Sequence, residues 1–268
     1  MPKKSLGQHF LMDQNVVGRV AAEVHRCGLP QIVEIGPGTG NLTRALTTPR
    51  TKLVLVELDT ALAARLKLSF GSTASVEVVE QDARLMDAAT LPLEDDAPYT
   101  LAGNLPYNVA TAILRNFMIS TRPPRHVVCM LQLEVAQSLS APLGKRGFAA
   151  VYFQNLADIQ LLFKVDRGAF NPAPAVESAV VRMDPHPVPA VPPGDALFGF
   201  VHAVFRLPRK QLRNSLMAAK HMERPAADEV LRLAEVDGGL RPGNLSLEQW
   251  GRLHLAHARV NSSGEAER

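Results

Sequence analysis

Val33-Glu-Ile-Gly-Pro-Gly-Thr-Gly40 decides how this chain is read. An apolar, β-branched run from Gln31 to Ile35 ends in three glycines at alternate positions, and helical periodicity follows them. A strand that turns into a helix through glycines lets a ligand come close to its backbone, as parallel sheets do where they bind nucleoside cofactors. Outward from this turn, runs at Lys52 to Leu58, Val76 to Gln81, Thr100 to Gly103 and His126 to Leu131 alternate with segments of helical period. That alternation predicts an α/β fold: a doubly wound, Rossmann-like parallel sheet with helices on both faces. Ile159 to Val165 and Glu177 to Met183 flank the turn-rich Asn171-Pro-Ala-Pro-Ala175 and are expected to form an antiparallel edge to that sheet.

The pattern changes at PHPVPAVPPGD, residues 185–195, whose prolines lack amide donors and favour extended backbone. The expected organisation is therefore one large domain over residues 1–185, a semi-rigid linker over 186–195, a small helical domain over 196–260 and a disordered polar tail over 261–268. In the helical part Pro208 suits the first turn of a helix carrying Arg209 to Lys220, and Ser246 with Gln249 makes a capping box.

Composition narrows the function classes. At 268 residues and 46% hydrophobic content the chain can bury one full core with a smaller appendage. A formal net charge of +3 permits a polyanion partner only through a local basic patch. Cys27 and Cys129 stand alone, with no CxxC and no His/Cys cluster, which argues against a disulfide framework and a structural metal. No stretch approaches the ~20 apolar residues of a membrane span. A cytoplasmic monomer without a membrane partner or a metal is the expectation.

The glycine loop acquires chemical meaning from two carboxylates. Glu57 ends the next apolar strand, 21 residues beyond Gly36, the spacing of a carboxylate that holds ribose hydroxyls. Asp82 follows the strand after that and should project from the same edge of the sheet. A nicotinamide site uses similar residues but calls for GxGxxG, whereas this chain has GxGxG. Together with Glu34 just before the loop, the pattern favours S-adenosyl-L-methionine, whose aminoacyl arm needs hydrogen-bond partners where a dinucleotide has its pyrophosphate.

Gly103-Asn-Leu-Pro-Tyr107-Asn108 follows the fourth strand. The exocyclic amine of adenine is a poor nucleophile because its lone pair is delocalised into the ring. Acceptors that take both amine hydrogens help the nitrogen pyramidalise, and the side-chain oxygen of Asn104 with the carbonyl of Leu105 are suited to this. Pro106 shapes the turn, and Tyr107 can stack on the base, a contact worth ~1–3 kcal/mol. Placement then supplies most of the catalysis. Taken alone, the tetrapeptide also reads as a helix cap followed by an amphipathic core residue.

These stretches, with Leu6-Gly-Gln-His-Phe-Leu11, Val56-Glu-Leu-Asp59, Gln81-Asp-Ala83, Leu131-Gln-Leu-Glu134, Phe170-Asn-Pro-Ala-Pro174 and Arg209-Lys-Gln-Leu-Arg-Asn-Ser215, resemble the ribosomal RNA adenine N6-dimethyltransferases over nearly the whole chain. Within that family the chain resembles the bacterial small-subunit dimethyladenosine transferases. The resemblance implies a class I methyltransferase sheet with a helical C-terminal domain. It implies a cofactor site formed by His9, Leu11, Gly36, Glu57, Asp82 and Asn104, with Glu57 on the ribose hydroxyls and Asp82 accepting from the cofactor's adenine amine. It places Phe170 across the target base from Tyr107, and it implies dimethylation of two adjacent adenosines near the 3′ end of small-subunit ribosomal RNA. Arg206, Arg209, Lys210 and Arg213 are the candidate RNA contacts, with Lys3, Lys4 and Arg19 enriching the N-terminus. Ala175 stands where the family often has lysine, and Phe205-Arg-Leu-Pro-Arg-Lys210 departs from its usual Phe-x-x-Arg-Arg-Lys. A large-subunit dimethylase, in which Ile is common where this chain has Leu105, and a non-catalytic RNA-binding descendant are the alternatives.

Overall fold

The computed structural model describes residues 9–266 apart from 95, 96, 190, 193 and 221. Lys3, Lys4 and residues 6–8 of the N-terminal motif lie outside the described residues. In chain order the elements are β1 (Phe10–Leu11), α1 (Gln14–Arg26), β2 (Gln31–Ile35), α2 (Asn41–Leu46), β3 (Lys52–Glu57), α3 (Thr60–Phe70), β4 (Val76–Glu80), β5 (Tyr99–Asn104), α4 (Ala110–Met118), β6 (His126–Gln132), α5 (Leu133–Leu139), α6 (Phe148–Leu156), β7 (Ala157–Val165), β8 (Phe170–Asn171), β9 (Ser178–Pro185), α7 (Asp195–Val204), α8 (Leu212–Lys220), α9 (Arg224–Ala234) and α10 (Leu247–Ala266).

The main sheet has the order β4-β3-β2-β5-β6-β9-β7. Its first five strands are parallel, and β9 runs antiparallel to β6. Every residue of β2 is buried, as are most of β3, β5 and β6, because helices cover a parallel sheet on both faces. β4, at one edge, has no fully buried residue. The chain leaves β2 toward β3 and β4 on one side and returns to β5 and β6 on the other. The order therefore reverses between β2 and β5, where folds of this kind hold ligands outside the carboxyl ends of their strands. The α1 helix shows how local sequence serves this layer: Asp13 caps it by accepting from the amides of Asn15 and Val16, and Val17, Val20, Ala21 and Val24 form its buried stripe.

The chain divides into two compact units, residues up to Gln137 with Ile159–Pro185, and Ser138–Asp158 with His186 onward. The expected division after 185 misses one exchange, because α6 and its preceding loop cluster with the second unit. Val151 of α6 is in the same core as Leu197, Phe200, Val204, Leu216, Leu231 and Trp250. The Pro-rich stretch is pinned to α6 as well: buried Asn155 donates to the Val191 carbonyl at 2.9 Å and accepts from the Val191 amide at 2.9 Å.

Two further expectations change here. The helix predicted from Pro208 begins only at Leu212, and Pro208, Arg209 and Lys210 lie in the turn before it. The tail predicted to be disordered is helical to Ala266, since α10 continues through it and the Ser262 hydroxyl donates to the Ala258 carbonyl at 2.9 Å. The capping box at the start of α10 forms in both directions, with the Ser246 amide donating to Gln249 Oε1 at 2.8 Å and the Gln249 amide to Ser246 Oγ at 3.2 Å. Among the described residues no helix is long and apolar enough to cross a membrane, and no group of His, Cys, Asp or Glu is arranged to hold a metal.

Candidate active site

A cavity of about 300 Å³ opens in the first unit where the strand order reverses, lined by the segments after β2, β3, β4 and β5 and by the N-terminal strand. His9, Leu11, Gly36, Glu57, Asp82, Asn104, Leu105, Pro106 and Tyr107, all singled out from sequence, line it.

The glycine loop is shaped by backbone needs. Gly38 has φ +58°, and a Cβ there would lie 2.9 Å from the Phe10 ring, so only glycine lets the N-terminal strand close over the loop. Gly103, with φ +151°, passes so close to β2 that a Cβ would meet the Ile35 carbonyl oxygen at 2.4 Å. It brings the Asn104 segment beside the glycine loop.

Glu57 and Glu34 form the acidic part of the cavity. Glu57 accepts from the Gly38 amide at 3.1 Å and the Asp59 amide at 2.9 Å, which ties the carboxylate to the loop. Burial raises its carboxyl above the usual range, with the Asp59 and Gly38 amides pulling against that rise. Glu34 is 1% exposed and accepts from the Thr43 hydroxyl at 2.7 Å. Burial first, and the nearby Glu57 in addition, push it up to about 8 against that hydroxyl's opposing pull.

Asp82 stands in the turn after β4, but Arg84, which sequence reading left out, grips it. The Arg84 guanidinium contacts both carboxylate oxygens at 2.5 to 3.0 Å, and these hydrogen bonds hold the Asp82 carboxyl below its ordinary value. The pairing partner is only two residues away, so the spacing was visible and the side-chain direction was not.

The Asn104 amide is held asymmetrically. Its Nδ2 donates to the His9 carbonyl at 2.8 Å, while its Oδ1 is buried without a hydrogen-bond partner among the described residues. An unpartnered buried acceptor is costly, and Asn104 lines the cavity. Tyr107, half-buried, shares a 2.5 Å hydrogen bond with Ser178 Oγ at the start of β9, and burial raises its phenol. Ser178 had no local sequence signal, because it reaches Tyr107 through the pairing of β9 with β6.

Phe170, expected across the target base from Tyr107, is 5% exposed in the core of the first unit, and the ring stacked on Tyr107 in this structure is that of His9, at 5.7 Å between centroids and 22° between planes. The reason is register: β1 pairs antiparallel with β8 so that Leu11 faces Phe170, and both turn inward. His9, one residue before the strand, is held over the site by Nδ1 on the Pro172 carbonyl at 2.8 Å.

The candidate RNA contacts divide. Arg206, Arg209 and Lys210 are exposed. Arg213 is half-buried in an ion pair with Asp228, which Arg224 also approaches.

The family model for ribosomal RNA adenine dimethylase matches residues 2–252. The chain is 36% identical over 257 residues to ribosomal RNA small subunit methyltransferase A of Geobacter sulfurreducens, covering 94% of this chain and 93% of that one. Among solved structures, a dimethyladenosine transferase from Plasmodium falciparum superposes with a TM-score of 0.78 at 19% identity, over 94% of this chain and 98% of that chain. The 23S rRNA methyltransferase ErmE superposes with a TM-score of 0.66 at 26% identity, over 93% of this chain and 99% of that chain.

Proposed function

Because this chain belongs to the ribosomal RNA adenine dimethylase family, we propose that its cavity dimethylates the N6 amine of two adjacent adenosines near the 3′ end of small-subunit ribosomal RNA. The methyl donor is S-adenosyl-L-methionine. Small-subunit RNA is the target favoured by the relatives matched over almost their full length, which carry that assignment in their names; the large-subunit enzyme ErmE is less similar in sequence.

The residues present suit this donor. The cavity places two buried carboxyls, Glu34 and Glu57, against a glycine loop whose Gly38 admits no side chain. Such a site offers the ribose and the aminoacyl arm of the donor hydrogen-bond partners on a loop that they can approach closely. Glu57 would hold ribose hydroxyls, Asp82 the adenine amine, and Glu34 with the glycine loop the aminoacyl end. When bound, S-adenosylmethionine supplies an electrophilic methyl group on sulfur.

The remaining chemistry belongs to the chain. The observation that carries the reading is the buried, unpartnered Oδ1 of Asn104, with its amide nitrogen fixed on the His9 carbonyl. That oxygen accepts one N6 hydrogen of the target adenine and the Leu105 carbonyl accepts the other, which localises the lone pair on nitrogen. Tyr107, tethered by Ser178 and backed by the His9 ring, supplies the stacking surface. Each transfer releases one amine hydrogen as a proton, so two transfers use both. Exposed Arg206, Arg209 and Lys210 are assigned to phosphate contact and Arg213 to internal structure. The enzyme acts as a cytoplasmic monomer.

The test is transfer of labelled methyl to unmethylated small and large ribosomal subunits, followed by nucleoside digestion, with Asn104→Ala alongside. Dimethyladenosine from small subunits alone, lost by a factor of roughly 100 or more in the variant, supports the assignment. Label from large subunits overturns the target, and full activity of the variant overturns the role of Asn104.

A further inference from the structure

Asp82 is gripped by its neighbour. Three hydrogens of Arg84 make four contacts to the carboxylate: the backbone amide to Oδ1 at 2.9 Å, Nε to Oδ1 and Oδ2 at 3.0 Å each, and a terminal nitrogen to Oδ2 at 2.5 Å. An ionised carboxylate offers about four lone-pair directions, so the three Arg84 hydrogens occupy most of them and leave a further donor short of an acceptor site. The backbone of the turn cannot supply one by shifting. Asn116 of α4 donates to the Ala83 carbonyl at 3.1 Å and to the Met86 carbonyl at 2.8 Å, which fixes the turn on both sides of Arg84. What can move is the Arg84 side chain, which is 44% exposed and lines the cavity.

We propose that Arg84 competes with the cofactor's adenine amine for the Asp82 carboxylate, acting as a latch that must open for a ring that carries an amine and so tempers the preference for adenine that Asp82 confers. The inference rests on the reading of Asp82 as the adenine acceptor. A ligand with a donor amine replaces what the guanidinium gives up. A ligand with a ring oxygen at the same position presents an acceptor to a carboxylate and leaves the latch shut. Arg84 is a positioning residue in this scheme, since it acts through Asp82. Because the pair faces solvent, salt weakens the latch and leaves the adenine hydrogen bond inside the cavity much less affected.

The experiment is calorimetric titration of the full-length protein with S-adenosylhomocysteine and with its deaminated analogue S-inosylhomocysteine, at low and high salt. It uses wild type, Arg84→Met, Arg84→Lys and Asp82→Ala, each checked for an unchanged melting temperature. The latch predicts that Arg84→Met binds the adenosyl compound about two- to fivefold more tightly at low salt, the size of an exposed ion pair. Binding of the inosyl compound stays unchanged, the gain shrinks at high salt, and Arg84→Lys falls between the two. Weaker binding of both compounds by Arg84→Met makes Arg84 a direct ligand contact and overturns the latch. Equal binding by Arg84→Met and wild type overturns it as well, provided that wild type prefers the adenosyl compound and Asp82→Ala does not. If wild type shows no such preference, the reading of Asp82 itself fails, and the latch with it.

Discussion

Replacing Glu34 by Gln isolates the most displaced carboxyl for which the structure supplies a value. Burial holds Glu34 up to about 8 against an ordinary 4.5. A folded-state value above the unfolded one means that the native protein keeps a proton the unfolded chain has released. The stability linked to Glu34 is therefore fully present below about pH 4.5 and is lost as pH rises through about 8. One proton of difference corresponds to about 1.4 kcal/mol per pH unit, so roughly 3 to 4 kcal/mol drains away between pH 5 and pH 8. Glutamine keeps an acceptor for the Thr43 hydroxyl, now at 2.7 Å from Glu34, and carries no charge to desolvate. Glu57 is also raised by burial and loses stability in the same direction, so the informative quantity is the difference between variant and wild type. Urea unfolding at half-unit intervals from pH 5 to pH 8 measures it. The expected result is a stability difference that grows in favour of Glu34→Gln by roughly 3 kcal/mol across that range. Curves that stay parallel would refute the reasoning, because they would mean that Glu34 is ionised in the native state or solvated despite its burial.

Three other outcomes follow from the geometry. Gly38→Ala places a methyl against the Phe10 ring in a left-handed backbone conformation; it should cost roughly 1 to 3 kcal/mol in thermal unfolding and abolish detectable S-adenosylmethionine binding by calorimetry. Ser178→Ala and Tyr107→Phe each break the same hydrogen bond, so each should lower kcat roughly fivefold, with the double variant no worse than the poorer single one in methyl-transfer assays. Arg213→Ala should lower the melting temperature by a few degrees at most while leaving the salt dependence of RNA binding unchanged, whereas joint neutralisation of Arg209 and Lys210 should flatten the salt slope by about two.

What the sequence determined by itself was local. Strand runs of β-branched residues, the glycine turn after Ile35 and the acidic residues at the ends of two strands follow from backbone preferences within a few positions. They suffice to place a nucleoside site at one edge of a parallel sheet. Asn104 and Tyr107 were legible because the chemistry of an adenine amine calls for acceptors and a ring in that order. The tertiary structure decided which partners those groups meet. Tyr107 finds Ser178 across 71 positions only because β9 lies antiparallel on β6. His9 stacks on Tyr107, and the register of β1 on β8 turns Phe170 inward. Asp82 is claimed by a neighbour two residues away, and α6 leaves the first unit for the second because its apolar face completes the helical core. Backbone periodicity is written residue by residue, whereas strand register, rotamer and core membership are settled only when distant segments pack and exclude one another.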